Sequence, residues 1–372
     1  MHTQLAEELG LEFPIFAFTH CRDVAAAVSK AGGLGVLGVA GHSAKGLAVE
    51  LEWIEKEIGD KPYGVDLLLP TRFVGSDGSG MGESDLDAKI PDEHRRFLDE
   101  LLERYDVPPL PPGEKPRPAF AVGYEQQRDV IELAFQHRIS LIASALGPPP
   151  AWMIDQGRAK GVKVAALAGT VEHARRHVEA GVDLIVAQGY EAGGHTGEIS
   201  TLVLVPEVVD AVAPLPVLAA GGIGNGRQLT AALALGAQGV WTGSVWLTTE
   251  EAETHPVVKE KFLKASSGDT IRCRSKTGKP ARQLRSAWTE AWNDPANPDP
   301  LPMPLQPRLT SEAEARISRV AHKSPGAQQL INYFVGQIVG SLNQTKSVRS
   351  VIEEMVQEYA DTMERLDVWA QG

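Results

Sequence analysis

Short apolar runs alternate with amphipathic stretches along most of the chain, the pattern of repeated parallel βα units. Eight runs read as strands, at residues 13–18, 34–39, 63–69, 139–143, 162–167, 183–187, 216–220 and 238–242. Several are continuously apolar, as expected where both strand faces are covered. Helical periodicity falls between them, at 22–31, 44–58, 125–136, 149–160, 171–180, 206–212 and 226–235. Eight strands in this alternation predict an α/β fold of the (β/α)8 (TIM) barrel type rather than an open sheet. No internal repeat of fixed period is present.

Two segments interrupt the count. Residues 70–123 follow the third strand, are rich in Pro, Gly and charge, and hold one helical piece near 94–105. Residues 250–307 follow the eighth strand and carry a basic piece (RCRSKTGKPAR) and a proline-rich one (NDPANPDPLPMPLQP). Helical patterning resumes at 327–342 and 348–366. Segments of this length are usually lids or binding loops. The expected organisation is a barrel with C-terminal helices (1–249 with 316–372), an insertion over the barrel mouth (70–123), and a basic, proline-rich insertion or lid (250–315). The apolar stretch 330–342 could pack on the barrel or on a second subunit, so a homodimer is open.

Composition narrows the partners. The formal charge of −12 argues against nucleic acid or an anionic membrane surface. No run of 18 apolar residues spans a bilayer, the N-terminus lacks a signal pattern, and the two cysteines form no disulfide framework. The expectation is a cytoplasmic protein acting on a small molecule.

Candidate chemistry concentrates in glycine-dense loops. Gln188-Gly-Tyr-Glu-Ala-Gly-Gly-His195-Thr-Gly197 follows the sixth strand and sets an imidazole among glycines, which let backbone approach a flat or anionic ligand. Gly33-Leu-Gly35-Val-Leu-Gly38 matches the dinucleotide fingerprint in letters only, since a helix precedes it and a strand follows. Gly221-Gly222-Ile-Gly-Asn-Gly226 does sit between strand and helix, and Trp241-Thr242-Gly243-Ser244 follows the eighth strand. Loops after strands seven and eight commonly present N–H groups to a phosphate. His173 and His177 share a helix face, read as solvated rather than metal-binding; no metal site is expected. Cys21 reads as a packed residue.

Together, PIFAF (14–18), AAAVSKAGGLGVLG (25–38), KPYGVDLLL (61–69), VAQGYEAGGHTG (186–197) and VLAAGGIGNGRQLTAALALGAQGVWTGSVWLTTEE (217–251) resemble the nitronate monooxygenase family of FMN-dependent barrel flavoenzymes. The resemblance runs from the N-terminus to about residue 250, and more faintly through YFVGQIVGSLNQ. It implies FMN as cofactor. Gln188, Gly193 and Gly194 would lie along the flavin, Ala17 and Phe18 would line its edge through backbone groups, and Gly221, Gly222, Trp241, Thr242, Gly243 and Ser244 would hold its phosphate. Asp66 stands where the family has an asparagine, exchanging an amide for an acceptor-only carboxylate if ionised. The first loop, FAFTHCRD, departs from the family's and adds His20, a candidate substrate contact.

His195 is the candidate catalytic base or substrate-polarising group. A carbon acid would lose its proton to neutral His195; a nitronate, already an anion, would be held by the imidazolium. O2 or NAD(P)H would be the redox partner. Three readings result: oxidation of an alkyl nitronate or related carbon acid with O2; reduction or oxidation of an enoyl thioester (acyl-CoA) on the same flavin; or a flavin- or phosphate-binding barrel without turnover. The cluster Arg272, Arg274, Lys276, Lys279, Arg282 and Arg285 is either a solvated basic loop or a grip on an anionic handle.

Overall fold

The computed structural model describes residues 1–75, 83–114, 116 and 124–371, so parts of the stretch expected as the first insertion lie outside the described residues. The strands are β1 (Ile15–Thr19), β2 (Leu34–Gly38), β3 (Tyr63–Leu68), β4 (Leu141–Ala145), β5 (Lys163–Ala168), β6 (Leu184–Gln188), β7 (Gly194–His195), β8 (Val217–Ala220), β9 (Gly239–Thr242), β10 (Thr270–Cys273) and β11 (Ala281–Leu284). Eight of them close a parallel barrel in the order β1-β2-β3-β4-β5-β6-β8-β9, with β9 returning to β1 through Phe16 opposite Trp241. Helices separate them, giving the (β/α)8 barrel that the alternation predicts.

Strand alternation divides the core in two. Leu34, Val36, Leu141, Ala143, Ala165, Leu184, Val186, Leu218 and Phe16 fill the barrel interior, plugged from below by Leu5 of the short helix Gln4–Glu8. The intervening residues, Ile15, Ala17, Val65, Leu67, Ile185 and Val240 among them, pack outward against the helices. Such layering makes the interior solid and leaves the loops at the strand C-termini as the place for chemistry. The glycines of 33–38 serve packing: a Cβ on Gly35 would run into the Ala25 carbonyl of helix Arg22–Lys30.

The eighth helical slot is filled from far along the chain. After β9 the chain departs for about a hundred residues and returns as Val348–Gln371, which packs between helices Gly226–Ala234 and Arg22–Lys30. Gly226 permits that closeness, since any side chain there would meet the Met355 carbonyl. Glu358 of the returning helix also accepts the Gly226 N–H at 2.9 Å.

The two excursions share a second apolar core. Ile90, Leu98, Leu101 and Leu102, the last three on helix Asp92–Arg104, pack with Phe262, Trp288, Trp292, Leu309, Ile317 and Leu330. Helices Leu305–Val320 and Pro325–Leu330 thus belong to this second body, and the barrel layer is rejoined only at Leu342 and Val348.

Two expectations need correction. The apolar stretch 327–342 is no continuous helix: Pro325–Leu330 is helical, residue 334 bridges to Gln283 of β11, and Gln337–Ser341 forms a 3-10 turn. Gly336 requires this course, because a Cβ there would strike the Glu191 carbonyl. The helix expected from Pro206 begins at Thr201 and carries that proline inside. Burial of Leu204, Val205, Val208 and Val212 outweighs the roughly 3 kcal/mol that an interior proline costs.

His177 is not on a solvated face. Only 3% exposed, it donates from Nε2 to the Leu167 carbonyl at 3.0 Å, and burial pushes its pKa down to about 4. The unfolded chain, with an imidazole pKa of about 6.5, takes up a proton first on acidification, so this group's contribution is complete above that value and is lost toward the folded pKa. Denaturant titrations should therefore show stability falling by about 3 kcal/mol from this site between pH 6.5 and 4. His177→Gln should have a shallower slope over that interval; an unaltered slope would contradict the assignment.

Candidate active site

The strand ends that face inward place Phe18, Asp66, Leu167, Gln188 and Trp241 around the barrel mouth. Phe18 stacks on Trp241 at 6.5 Å between centroids with an interplanar angle of 19°, forming an apolar floor. The Ala17 side chain packs outward in the helix layer, while that of Phe18 lies on the inward side, toward the mouth. The Gln188 amide has no protein partner among the described residues.

Asp66 is the most constrained group here. It is 6% exposed, and its Oδ1 has no partner among the described residues. Burial holds its carboxyl well above the ordinary carboxylate range, favouring the protonated acid. A protonated Asp66 can both donate and accept a hydrogen bond, as a side-chain amide can.

Beside the mouth, the loops after β8 and β9 meet the 3-10 turn at Ser244–Thr248. Gly221 and Gly222 take φ of +103° and +70°, and the amides of Gly222, Gly243 and Ser244 have no protein acceptor among the described residues. Ser244 Oγ accepts the Gly336 N–H at 2.8 Å, leaving its own proton to donate. Thr242 differs: its hydroxyl donates to the Phe16 carbonyl and accepts from Trp246 Nε1, and its carbonyl also contacts that indole N–H at 3.2 Å, so it is engaged within the protein.

The loop after β6 bears His195. Glu191 organises its base by accepting from the N–H and hydroxyl of Thr201 at the start of the next helix. Gly193 passes against Val335 and Gly336, leaving no space for a Cβ, so its smallness serves chain packing there. β7 then joins β11 and β10 in a small antiparallel sheet, with His195 opposite Ala281 and Gly194 opposite Arg282. His195 Nε2 lies 2.8 Å from Thr277 Oγ1, and the Phe334 ring stands 6.3 Å away.

His195 keeps partial contact with solvent, yet surrounding protein, and secondarily the charge of Lys279, lower its pKa to about 4. This enclosure favours the neutral imidazole near pH 7. His20 lies across the mouth with Nδ1 3.1 Å from the Gly38 carbonyl and its ring edge-on to Phe18. Accessible to solvent but flanked by protein, it too has a lowered pKa, chiefly through desolvation. Cys21 is buried, its thiol pushed up by desolvation, which suits packing and not nucleophilic attack.

The basic cluster is not a solvated loop. Arg282, 2% exposed, stacks over Tyr190 and donates to the Tyr190 carbonyl at 3.0 Å. Arg272 flanks the same ring and donates to the Thr196 carbonyl, while its guanidinium meets Glu198 at 3.4 Å. Lys276 pairs with Glu314 at 3.0 Å, and Arg274 holds the carbonyls of Gly278 and Pro300. The β10–β11 hairpin thus clamps the catalytic loop. Thr277 and Phe334 were not among the candidates from sequence, and Lys279 was named only as one of the basic cluster; the TGKP turn beside the basic run was the available sign.

A parallel barrel whose mouth gathers a half-buried imidazole, a buried carboxyl and unpaired loop amides has the form of a barrel enzyme with its chemistry at the strand C-termini. The family model described as nitronate monooxygenase matches residues 5–358, and the chain belongs to that family. Its members are flavin-dependent oxidoreductases. A protein of Mycobacterium tuberculosis with a provisional monooxygenase name is 58% identical over 370 residues, 98% of both chains. One of Staphylococcus haemolyticus, named a probable nitronate monooxygenase, is 30% identical over 342 residues, 87% of this chain and 88% of that one. Among solved structures, the nitroalkane oxidase of Streptomyces ansochromogenes superposes with a TM-score of 0.79 at 25% identity, over 97% of this chain and 99% of that one. FabK of Thermotoga maritima gives 0.73 at 27% identity over 99% of each.

Removing the Thr277 hydroxyl should loosen the His195 ring. A net hydrogen bond of about 1 kcal/mol corresponds to roughly a fivefold fall in turnover for Thr277→Val, with Thr277→Ser close to the parent. Equal turnover in all three proteins would remove Thr277 from the site.

Proposed function

We propose that this protein carries out an FMN-dependent, nitronate monooxygenase-type oxidation of an alkyl nitronate or related carbon acid with O2, with His195 as base for the carbon acid or polarising group for the nitronate. The observation that carries it is an imidazole oriented by Thr277 at the mouth of a nitronate monooxygenase family barrel, in surroundings that favour its neutral form.

The residues present suit FMN. Asp66 offers an unpaired buried oxygen at the strand ends. The amides of Gly222, Gly243 and Ser244 await an acceptor where barrel loops commonly bind phosphate. A Cβ on Gly194 would meet nothing within 4 Å, and one on Gly243 only Phe18 at 3.9 Å. Gln188 and Asp66 would then face the flavin ring, with Gly221, Gly222, Gly243 and Ser244 at its phosphate. When bound, FMN supplies the electron acceptor that O2 regenerates.

The chain's own groups do the rest. Neutral His195 can take the proton from a carbon next to a nitro group, and Thr277 fixes the ring that receives it. Phe18, Trp241 and Phe334 keep the neighbourhood apolar, which strengthens nearby electrostatic interactions.

A second reading keeps FMN and changes the substrate to an enoyl thioester; the similarity to FabK of Thermotoga maritima, 27% identical over 99% of each chain, favours it. Consumption of NAD(P)H with an enoyl thioester, without oxygen uptake on propyl nitronate, would select it.

His195→Asn should lower kcat with 1-nitropropane by about 10² to 10⁴ while the protein stays yellow. In the parent enzyme kcat/KM should be level at neutral pH and fall on acidification through about pH 4, because protonation removes the base. An acid limb centred near 6.5 that survives in His195→Asn would exclude His195 as its source. Asp66→Asn should retain FMN, read by absorbance after gel filtration, whereas Asp66→Leu should lose much of it.

A further inference from the structure

If the substrate is a nitronate, a neutral His195 leaves its negative charge without a counter-ion. The protein as a whole is no help, since a net charge of −12 repels anions at long range. A cation must stand locally at the mouth. Of the six basic residues in 272–285, Arg272, Arg274, Lys276 and Arg282 are engaged as described, and exposed Arg285 lies beside Asp269. Lys279 is different. Its ammonium has no hydrogen-bond or ion-pair partner among the described residues, although the residue is half-buried.

Lys279 also occupies a telling place. It lies on the turn between β10 and β11, two residues before Ala281, which is paired with His195. Its main-chain N–H and carbonyl both contact Thr277 Oγ1, the atom that holds His195 Nε2. Arg72, on the loop leaving β3, is a second cation near it, again without a carboxylate partner among the described residues. The ammonium is pushed below its ordinary value by burial and then by Arg72, and its own charge reaches His195. These are the marks of a positive pocket left open for an anion.

We propose that Lys279, assisted by Arg72, forms an oxyanion subsite that binds the charged oxygens of a small planar nitronate beside the neutral His195. This rests on the function proposed above and names the groups that select the substrate's charge state. The Lys279 main chain contacts the hydroxyl that holds His195, so the subsite adjoins the proposed base and the bound anion would be the reacting group itself.

The test uses FMN-loaded protein and nitrate, a planar oxyanion that cannot be oxidised, titrated by calorimetry. Lys279→Gln should raise the nitrate Kd about tenfold, Lys279→Arg should stay within about threefold, and exposed Arg72→Gln should show about a threefold rise. In steady state, KM for propyl nitronate should rise about tenfold in Lys279→Gln relative to KM for neutral 1-nitropropane. Unchanged nitrate affinity, or an equal loss for both substrates, would overturn the subsite; the latter would place the ammonium on the flavin or in the scaffold. Competition by inorganic phosphate but not by nitrate would also overturn it, in favour of a remote handle. Should the parent enzyme oxidise no nitronate, the proposed function fails, while the nitrate titration still reads Lys279 by itself.

Discussion

The hydrogen bond between His195 and Thr277 joins two bodies that are far apart in the chain, and the site depends on it. The barrel contributes the imidazole on a loop too rich in glycine to hold one shape unaided. The hairpin of β10 and β11 supplies the second edge of that loop. Arg282 and Arg272 grip Tyr190 from two sides and take up carbonyls at 190 and 196, so the backbone flanking His195 is fixed at both ends. Burying a guanidinium is costly, and here an aromatic face and carbonyl oxygens offset part of the desolvation. That investment makes sense only where the geometry of the gripped segment matters.

The electrostatics of the mouth follow from the same enclosure. Desolvation acts on every ionisable group in it and penalises whichever form carries charge. It moves Asp66 toward the acid and His20 and His195 toward the free base, and it leaves Lys279 as a cation held under strain. One physical cause thus prepares a donor, two acceptors and a positive centre within a single cleft.

The barrel was legible in the sequence because its signal is periodic: each strand is a short apolar run and each helix shows one apolar face. The glycine loops were legible because glycine marks close approach whatever the partner. What stayed hidden depends on contacts between distant segments. Residues 330–342 look helical in isolation, yet the need to pass Gly336 beneath Glu191 and pair with β11 draws them out. The arginines of 272–285 read as solvated because the ring of Tyr190 that covers two of them lies some eighty residues upstream. β7 is two residues long and has no pattern of its own; it exists because β11 is there to pair with it.

The late return of the helix Val348–Gln371 has a consequence for how the cleft can open. The intervening body leaves the wall after β9 and re-enters it one slot later, so both of its ends are stapled into the same rigid cylinder. A swing of that whole unit away from the rim would have to peel a stave from the cylinder. Any movement of that unit would therefore have to pivot on two anchors set in one cylinder, which limits how far it can travel from the rim.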